Sequence, residues 1–303
     1  MRSEWPLVLF TLLTQCAVGT FVAAGFARTL MTRALPEDLA SALVRVPLAG
    51  VLSLVALAAL SSTGHLVRPL QAWRAAGNPR ASWLSVEILT LAGFAGLVVV
   101  VAVLEWRGGP GVVRDAAGAL AASLGAGLLY AMGQLYRLPS RPAWNHPVTP
   151  VSFFITASLL GVLIVAASLA FSGDFVGGAH AFPDRLASLD RVLRILLFAG
   201  AALLVLEVLV IQAQATVRRN ASRASALPES RRALAALRQA TFTRTVLVMT
   251  ALAVAGWFLL RRPALSIAEP VGSLLVWTVL WLAVAESVMG RIGFYRQRPV
   301  AGI

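Results

Sequence analysis

Long apolar segments recur along the whole chain, and the short stretches between them contain most of the charged residues. Eight of these segments approach or exceed the roughly 20 residues that an α-helix needs to cross the hydrocarbon core of a bilayer. They lie at about 6–27, 43–64, 84–105, 113–135, 149–171, 192–214, 244–261 and 266–289. The pattern predicts an all-α membrane protein with eight transmembrane helices in a helical bundle, and residues 1–303 as a single integral membrane domain.

The composition supports the same interpretation. Of the 303 residues, 58% are hydrophobic and only 13% are charged, whereas soluble domains are about 45–50% apolar and about 25% charged. A soluble fold of this length would also keep an alternating polar surface. The sequence therefore excludes an ordinary soluble domain and leaves little mass outside the membrane.

The charged residues are strongly biased toward arginine. All 26 basic residues are Arg, against 13 acidic residues, which gives a formal net charge of +13. The arginines lie between the apolar segments, where anionic lipid and the positive-inside rule account for them, so we expect membrane lipid and no nucleic acid as a partner. More arginines fall on the side that holds both ends of the protein than on the other side. The bias predicts a multi-pass protein of the inner (cytoplasmic) membrane with both ends in the cytoplasm.

The sequence has few residues that could hold a redox cofactor. Cys16 is the single cysteine, whereas an iron–sulfur cluster normally needs four thiolates. The histidines His65, His146 and His180 lie at the ends of apolar segments or between them, and a membrane haem would need paired histidines at depth. We therefore expect no haem, iron–sulfur cluster or molybdenum in this protein, so redox chemistry here would use a bound small molecule and the cofactors of a partner.

Two ionisable residues lie where a small molecule could be oxidised. His65 ends the second predicted helix and Glu87 lies near the start of the third, so both are expected at the same face of the membrane. Ionisable groups at membrane depth are costly and are candidates for function, and an imidazole and a carboxylate can accept the two hydroxyl protons of a quinol. In the loop between them, Arg68, Arg74 and Arg80 could keep the carboxylate ionised or attract an acidic partner.

Each of these residues also has a purely structural interpretation. His65 is also compatible with an interfacial histidine that reaches water, and Glu87 with an acid stabilised by the helix dipole at a helix N-terminus. Spacing alone favours these structural roles.

Other polar residues inside the helices leave two interpretations open. Glu207 and Glu286 could belong to a proton path, or each could pair with an arginine such as Arg194 or Arg291, which is the favoured interpretation. Gln15 could hydrogen-bond another helix or line a cavity.

Aromatic residues and one long connection also leave alternatives. Five aromatic residues fall at helix ends, where they are typical of membrane-interface belts, although a quinone ring could stack on one of them: Trp5, Trp83, Trp106, Trp144 and Tyr136. The connection 215–243 contains Pro228 and several arginines, and its spacing predicts a short basic helix on the membrane surface or a docking surface for another subunit. No internal duplication is evident.

Four short motifs occur in order along the sequence and in register with the eight predicted helices. They are Glu4-Trp5-Pro6-Leu7 followed by Gln15-Cys16, the segment from His65-Leu66 to Glu87, Trp144 followed by Thr149-Pro150, and Gly290-Arg291 followed by Phe294-Tyr295. Together they resemble the membrane-anchor subunits of dimethyl-sulfoxide-reductase-type molybdoenzymes. The segments 172–190 and 215–243 show no clear match, and Glu286 lies about one position from the family's usual acid, so the resemblance assigns it no role.

The resemblance implies a function in anaerobic respiration. The protein would anchor an iron–sulfur electron-transfer subunit, which in turn contacts a molybdopterin catalytic subunit. It would bind and oxidise a quinol, with menaquinol expected, and would not itself act on the terminal substrate. His65 and Glu87 are the quinol-site positions carried over, and Arg68 and Arg80 are expected as further contacts.

Two other classes of function remain open. In a proton- or ion-coupled transporter, Glu87, Glu207 and Glu286 would line the path, and Pro47 and Pro270 are weak candidates for the broken helices of such proteins. The other class is a membrane tether for partner subunits that has no quinol site.

Overall fold

The computed structural model describes residues 5–63, 74–175, 183–224, 231–261 and 270–295. Within these ranges the protein forms eight α-helices and no strand, and all eight are long and apolar enough to cross a membrane. They are α1 (Trp5–Met31), α2 (Glu37–Thr63), α3 (Trp83–Arg107), α4 (Gly111–Leu135), α5 (Val148–Phe175), α6 (Pro183–Ala224), α7 (Arg231–Leu260) and α8 (Pro270–Tyr295). The prediction of an all-α protein with eight transmembrane helices is confirmed.

Local sequence explains where several helices begin and end. The side chain of Ser82 accepts a hydrogen bond from the backbone N–H of Ser85 and caps the start of α3. The same helix ends at Gly108, whose positive φ of 68° is the left-handed conformation that glycine adopts without strain. α2 continues through Pro47, and Pro270 is the first residue of α8, so neither proline breaks a helix.

The largest departure from the sequence prediction concerns α6 and α7. α6 has 42 residues and α7 has 30, so residues 215–224 continue α6 and residues 231–243 belong to α7. The prediction of a separate short helix between these two spans is wrong, because the Ala, Arg, Gln and Leu residues that dominate both segments favour helix. Hydropathy places the end of the sixth span and the start of the seventh where the apolar residues stop.

α1 and α5 form the centre of the bundle. About 72% of the apolar stretch of α1 and 67% of that of α5 is buried, against 28% to 39% for the other helices. The two central helices cross at Gly19 and Gly161, where their backbones touch. Each also packs against α2, α4, α6 and α8, so side chains from both helices make up much of the apolar core.

The packing of α1–α4 is repeated by α5–α8. α1 packs on α2 as α5 packs on α6, and α3 packs on α4 as α7 packs on α8. The contacts of α2 with α3 and of α1 with α4 recur between α6 and α7 and between α5 and α8. The sequence shows no duplication because this packing requires apolar helix faces of suitable shape rather than particular residues.

Alternating helices define the two faces of the bundle. The odd-numbered helices begin, and the even-numbered helices end, at the face that we call the Glu87 face, because that residue lies near it. The other end of the bundle is the opposite face.

Candidate functional site

Glu87 lies in the second turn of α3 and is buried, with 5% of its surface exposed. The preceding loop is held against this helix start, because the hydroxyl of Ser85 donates a hydrogen bond to the carbonyl of Ala75. No described residue gives the Oε2 atom of Glu87 a hydrogen-bond partner. The carboxylate therefore has an acceptor atom that no described residue uses.

Two residues of α1 lie at the level of Glu87. The rings of Phe21 and Phe94 pack edge to face at 5.7 Å between centroids, which fixes the register of α1 against α3. Seven residues, or about two helical turns, earlier on each helix are Thr14 and Glu87. The register therefore places Thr14 and Glu87 at a similar height on the two helices, with Gln15 next to Thr14 along α1.

Thr14 and Gln15 also have unused polar atoms. Within the described part of the protein, Oγ1 of Thr14 and Nε2 of Gln15 are buried without a hydrogen-bond partner. A buried polar atom left unsatisfied costs about 1–3 kcal/mol, and a bound group that hydrogen-bonded to these three atoms would remove that cost. A ligand with hydroxyl or carbonyl oxygens fits, because the Glu87 carboxylate accepts, the Gln15 amide donates and the Thr14 hydroxyl does either.

An aromatic cluster lies beside this level at the Glu87 face. The rings of Trp144 and Phe294 stack at 4.8 Å, and Tyr136 packs against both of them and against Phe153 and Tyr295. The indole N–H of Trp144 donates to the carbonyl of Phe294, 3.2 Å away. These contacts join the end of α4, the start of α5 and the end of α8.

The cluster corrects part of the sequence prediction about interface aromatics. Trp144 is 6% exposed, and Tyr136 is packed among the rings of that cluster, so membrane anchoring is wrong for these two residues. Trp5, Trp83 and Trp106 are exposed, as expected for an interface belt. Sequence position alone does not separate the two groups, because all five lie at helix ends.

Arg291 links the aromatic cluster to the polar level of Glu87. Its guanidinium lies 3.7 Å from the ring centroid of Phe153 and donates a hydrogen bond of 2.9 Å to Oε1 of Gln15. Of the two interpretations that the sequence leaves open for Gln15, the structure shows the hydrogen bond to another helix. The bond fixes the amide, and it leaves the Nε2 atom of Gln15 free to donate elsewhere.

Tyr136 adds a hydroxyl to this region. The hydroxyls of Tyr136 and Tyr295 are 2.9 Å apart, and that of Tyr295 lies 3.4 Å from the hydroxyl of Thr11. Burial, followed by the interaction with Tyr295 and the charge of Glu87, raises the pKa of Tyr136 well above its usual value, against a smaller opposite effect of Arg291. The phenol therefore stays protonated.

A second buried polar cluster joins α6, α7 and α8. Arg244 is paired with Glu286 at 2.7 Å and with Glu207 at 3.7 Å, and it donates to Oε1 of Gln214 at 3.1 Å. The prediction that both acids pair with an arginine is confirmed, but the partner is Arg244. The two arginines suggested from the sequence have other partners, since Arg194 pairs with Asp190 and Arg291 with Gln15.

The opposite face of the first four helices is held by its own ion pairs. Glu105 of α3 accepts from Arg28 of α1 at 3.3 Å and lies 3.4 Å from Arg114 of α4. Arg45 of α2 donates to the backbone carbonyl of Glu105 at 3.0 Å. These charges have partners, so they form a structural brace and leave the Glu87 level as the better candidate site in this half.

Two of the four predicted site residues lie in the part of the chain that the structure describes. Glu87 is buried at the candidate site, whereas Arg80 is exposed in the loop before α3, where it is available to attract an acidic partner. His65 and Arg68 lie outside the described residues. Thr14 and Arg291 had no predicted role at the site, although a run of polar residues inside the first apolar segment (Thr11, Thr14 and Gln15) was a signal that could have drawn attention to α1.

Comparison with known families gives one match over almost the whole chain. Residues 1–296 match the family model described as DMSO reductase anchor subunit (DmsC).

Three known proteins are similar over part of the sequence, and each is named as an anaerobic dimethyl sulfoxide reductase subunit. YnfH of Escherichia coli is 31% identical over 173 residues, which is 55% of this protein and 57% of that one. The Haemophilus influenzae relative is 28% identical over 172 residues, or 55% of this protein and 58% of the relative. A second Escherichia coli relative is 28% identical over 174 residues, or 56% of this protein and 59% of the relative. The chain thus spans somewhat more than half the length of the relatives that it matches.

Proposed function

The chain belongs to the DMSO reductase anchor subunit family and is a multi-pass inner-membrane protein, and from this premise we propose that it is the quinol-oxidising anchor of a molybdoenzyme complex. In this proposal it binds a quinol, with menaquinol expected, at the Glu87 level. It holds an iron–sulfur electron-transfer subunit, through which the electrons reach a molybdopterin catalytic subunit. The cytoplasmic location of both ends of the protein stays a prediction.

One observation carries the quinol proposal. Oε2 of Glu87, Oγ1 of Thr14 and Nε2 of Gln15 are buried without a hydrogen-bond partner among the described residues, and the Phe21–Phe94 contact puts them at a similar height on α1 and α3. A quinol presents hydroxyl groups that can donate to the first atom and accept from the last. The surroundings suit its ring as well, since apolar and aromatic residues of α1, α4 and α8 lie next to these atoms.

In this mechanism the protein positions the substrate and accepts protons. A bound quinol supplies two electrons and two protons, and the redox steps belong to it and to the partner's clusters. Glu87 accepts a hydroxyl proton at Oε2, and His65 is the proposed acceptor of the second. The amide of Gln15, held by Arg291, orients the substrate, and the aromatic cluster keeps water from the site.

The transporter alternative is not favoured. Glu207 and Glu286, which would line its path, converge on the single cation Arg244. No described helix is broken at the prolines that suggested such a path.

Purification of the native assembly tests the proposal as a whole. We expect the protein to co-purify with iron and molybdenum, and the assembly to bind a non-oxidisable quinol analogue with one site for each anchor. An anchor purified intact without either metal would refute the anchor function. An assembly that contains both metals but does not bind the analogue would show a tether without a quinol site.

A Thr14→Val substitution tests whether the unpartnered hydroxyl serves a ligand. Valine has nearly the same shape, so removing an unsatisfied hydroxyl should leave the free energy of unfolding unchanged or raise it. Loss of one hydrogen bond to the quinol should weaken its binding about 2–10-fold. The measurements are the KM for a soluble quinol and the stability of the same preparation.

Thr20→Val is the matched control for this prediction. Thr20 lies on the same helix, and its Oγ1 is also buried without a partner in the described structure, but it is nearly two turns farther from the Glu87 face. We expect an unchanged KM for this variant. Equal effects of the two substitutions on KM would contradict a ligand contact at Thr14.

A further inference from the structure

The ends of α6 and α7 extend beyond their neighbours at the Glu87 face. Val148, near the start of α5, and Phe294, near the end of α8, line the same small pocket as Arg218 of α6. α6 continues for six more residues to Ala224, or about 9 Å at 1.5 Å per residue. The two neighbouring helices therefore stop near the level of Arg218, while residues 219–224 and the start of α7 project farther.

This projecting segment is strongly basic. We define the basic hairpin as residues 215–224 and 231–243, which contain six arginines and no acidic residue: Arg218, Arg219, Arg223, Arg231, Arg232 and Arg238. Glu229, in the intervening stretch 225–230, is the one acid between the two helices. Arg219 and Arg238 are exposed. An accumulation of one sign of charge on a projecting element attracts a surface of opposite charge.

A polar pocket lies at the base of the basic hairpin. The pocket is narrow, with room for about one water molecule, and its polar lining comes from His146, Thr149, Gln214 and Arg218. Within the described structure, no carboxylate lies within 4 Å of Arg218, and the positive charge of Arg244 is nearby. The N-terminus of α5, which carries the positive end of the helix dipole, also lies at this pocket.

We propose that the basic hairpin, with the Arg218 pocket at its base, is the docking surface for an acidic face of the electron-transfer subunit. A carboxylate of that subunit would pair with Arg218 at the base of the hairpin, and other acids would face Arg219 and Arg238. This inference rests on the proposed function, because it assumes that such a subunit is bound.

The geometry favours a protein over a lipid as the occupant. α5 begins and α8 ends near the level of Arg218, so lipid phosphates would meet the hairpin at its base. The hairpin continues about 9 Å past this level, where a neighbouring subunit is a better match for its charges. The hairpin also lies at the same face as Glu87, so a subunit docked on it would be on the side from which electrons leave the quinol.

Charge removal on the hairpin tests this proposal. The anchor carrying Arg218→Gln, Arg219→Gln and Arg238→Gln is co-expressed with the iron–sulfur subunit of its complex and purified in mild detergent. We expect retention of that subunit, measured as iron for each anchor, to fall about tenfold. Binding of a quinol analogue should stay as in the wild type, which reports that the anchor is folded.

Matched controls separate docking from a general effect of charge. The variant with Arg33→Gln, Arg107→Gln and Arg261→Gln removes three exposed arginines from the opposite face and should retain the subunit fully. The single reversal Arg219→Glu changes one exposed side chain and should weaken retention on its own. Wild-type retention should decrease with added salt, and retention by the hairpin variant should respond less.

Three results would count against the inference in different ways. Equal retention by the hairpin and control variants would overturn the docking surface and leave the proposed function intact. A hairpin variant that keeps the subunit but loses bound anionic phospholipid would identify the hairpin as a lipid site and overturn the proposal. A wild-type anchor that retains no iron at any salt concentration would refute the proposed function itself.

Discussion

Glu87→Gln should lower quinol oxidation by the assembled complex about 100-fold or more while leaving the complex intact. The amide keeps the size of the side chain and its place in α3, but it has no carboxylate to take the hydroxyl proton. Proton transfer by a positioned side chain contributes about 10²–10⁴ in rate. The measurement is turnover with a reduced soluble quinol, divided by the iron content of the same membranes.

Conservative and remote variants make this prediction specific. Glu87→Asp keeps the acid but withdraws it by one methylene, so we expect activity between the wild type and the amide variant. Glu37→Gln removes an exposed carboxylate at the opposite face and should have no effect on turnover. If His65 is the second proton acceptor, His65→Ala should produce a loss of similar size. Wild-type turnover in a fully assembled Glu87→Gln complex would remove Glu87 from the mechanism.

Gly19→Val should prevent the bundle from folding correctly. A Cβ atom on Gly19 would overlap the backbone carbonyl of Ala157, and one on Gly161 would overlap the backbone of Gly19. Backbone atoms cannot move aside as the tip of a flexible side group does, so α1 and α5 would have to separate along much of their length. Overpacking of a core typically costs about 1–3 kcal/mol and occasionally more, and we expect this site to lie at or above the upper end of that range.

The same helix offers a matched glycine for comparison. Gly25 lies on α1, and a Cβ atom there would have no neighbour within 4 Å. Gly25→Ala should therefore be neutral or slightly stabilising, because alanine favours helix over glycine by about 1 kcal/mol, whereas Gly19→Ala should already destabilise. Thermal unfolding in mild detergent compares the two alanine variants, and equal stability would contradict the close crossing of α1 and α5.

The sequence predicts the membrane spans well because a helix that crosses the bilayer needs about 20 apolar residues. Segments of that length and composition are visible in the sequence without knowledge of the fold. The hydropathy prediction fails at the end of α6 and at the start of α7, where the apolar residues stop but the helix continues. Arg218 and Arg238 are good helix formers, and hydropathy carries no information on that property. The spacing within 215–243 predicts a separate surface helix or a docking surface, whereas in the structure residues 215–224 extend α6 and residues 231–243 extend α7.

The candidate site is predictable only in part. Glu87 is identifiable because an acid near the start of an apolar segment is rare. Its neighbours come from other helices, and the link between Gln15 and Arg291 joins residues far apart in the sequence. Pairing of Glu286 with Arg244 instead of the nearby Arg291 likewise depends on which helix faces meet.

The repeated packing of α1–α4 and α5–α8 bears on how such a protein could arise. Both halves begin at the same face, and each supplies one of the two central helices, which meet at a glycine in each. An ancestral four-helix protein that paired with a copy of itself through this helix would need only gene duplication and fusion to give the present arrangement, with no reversal of membrane orientation. Each half would then be free to diverge, one toward the polar residues around Glu87 and the other toward the charged cluster around Arg244.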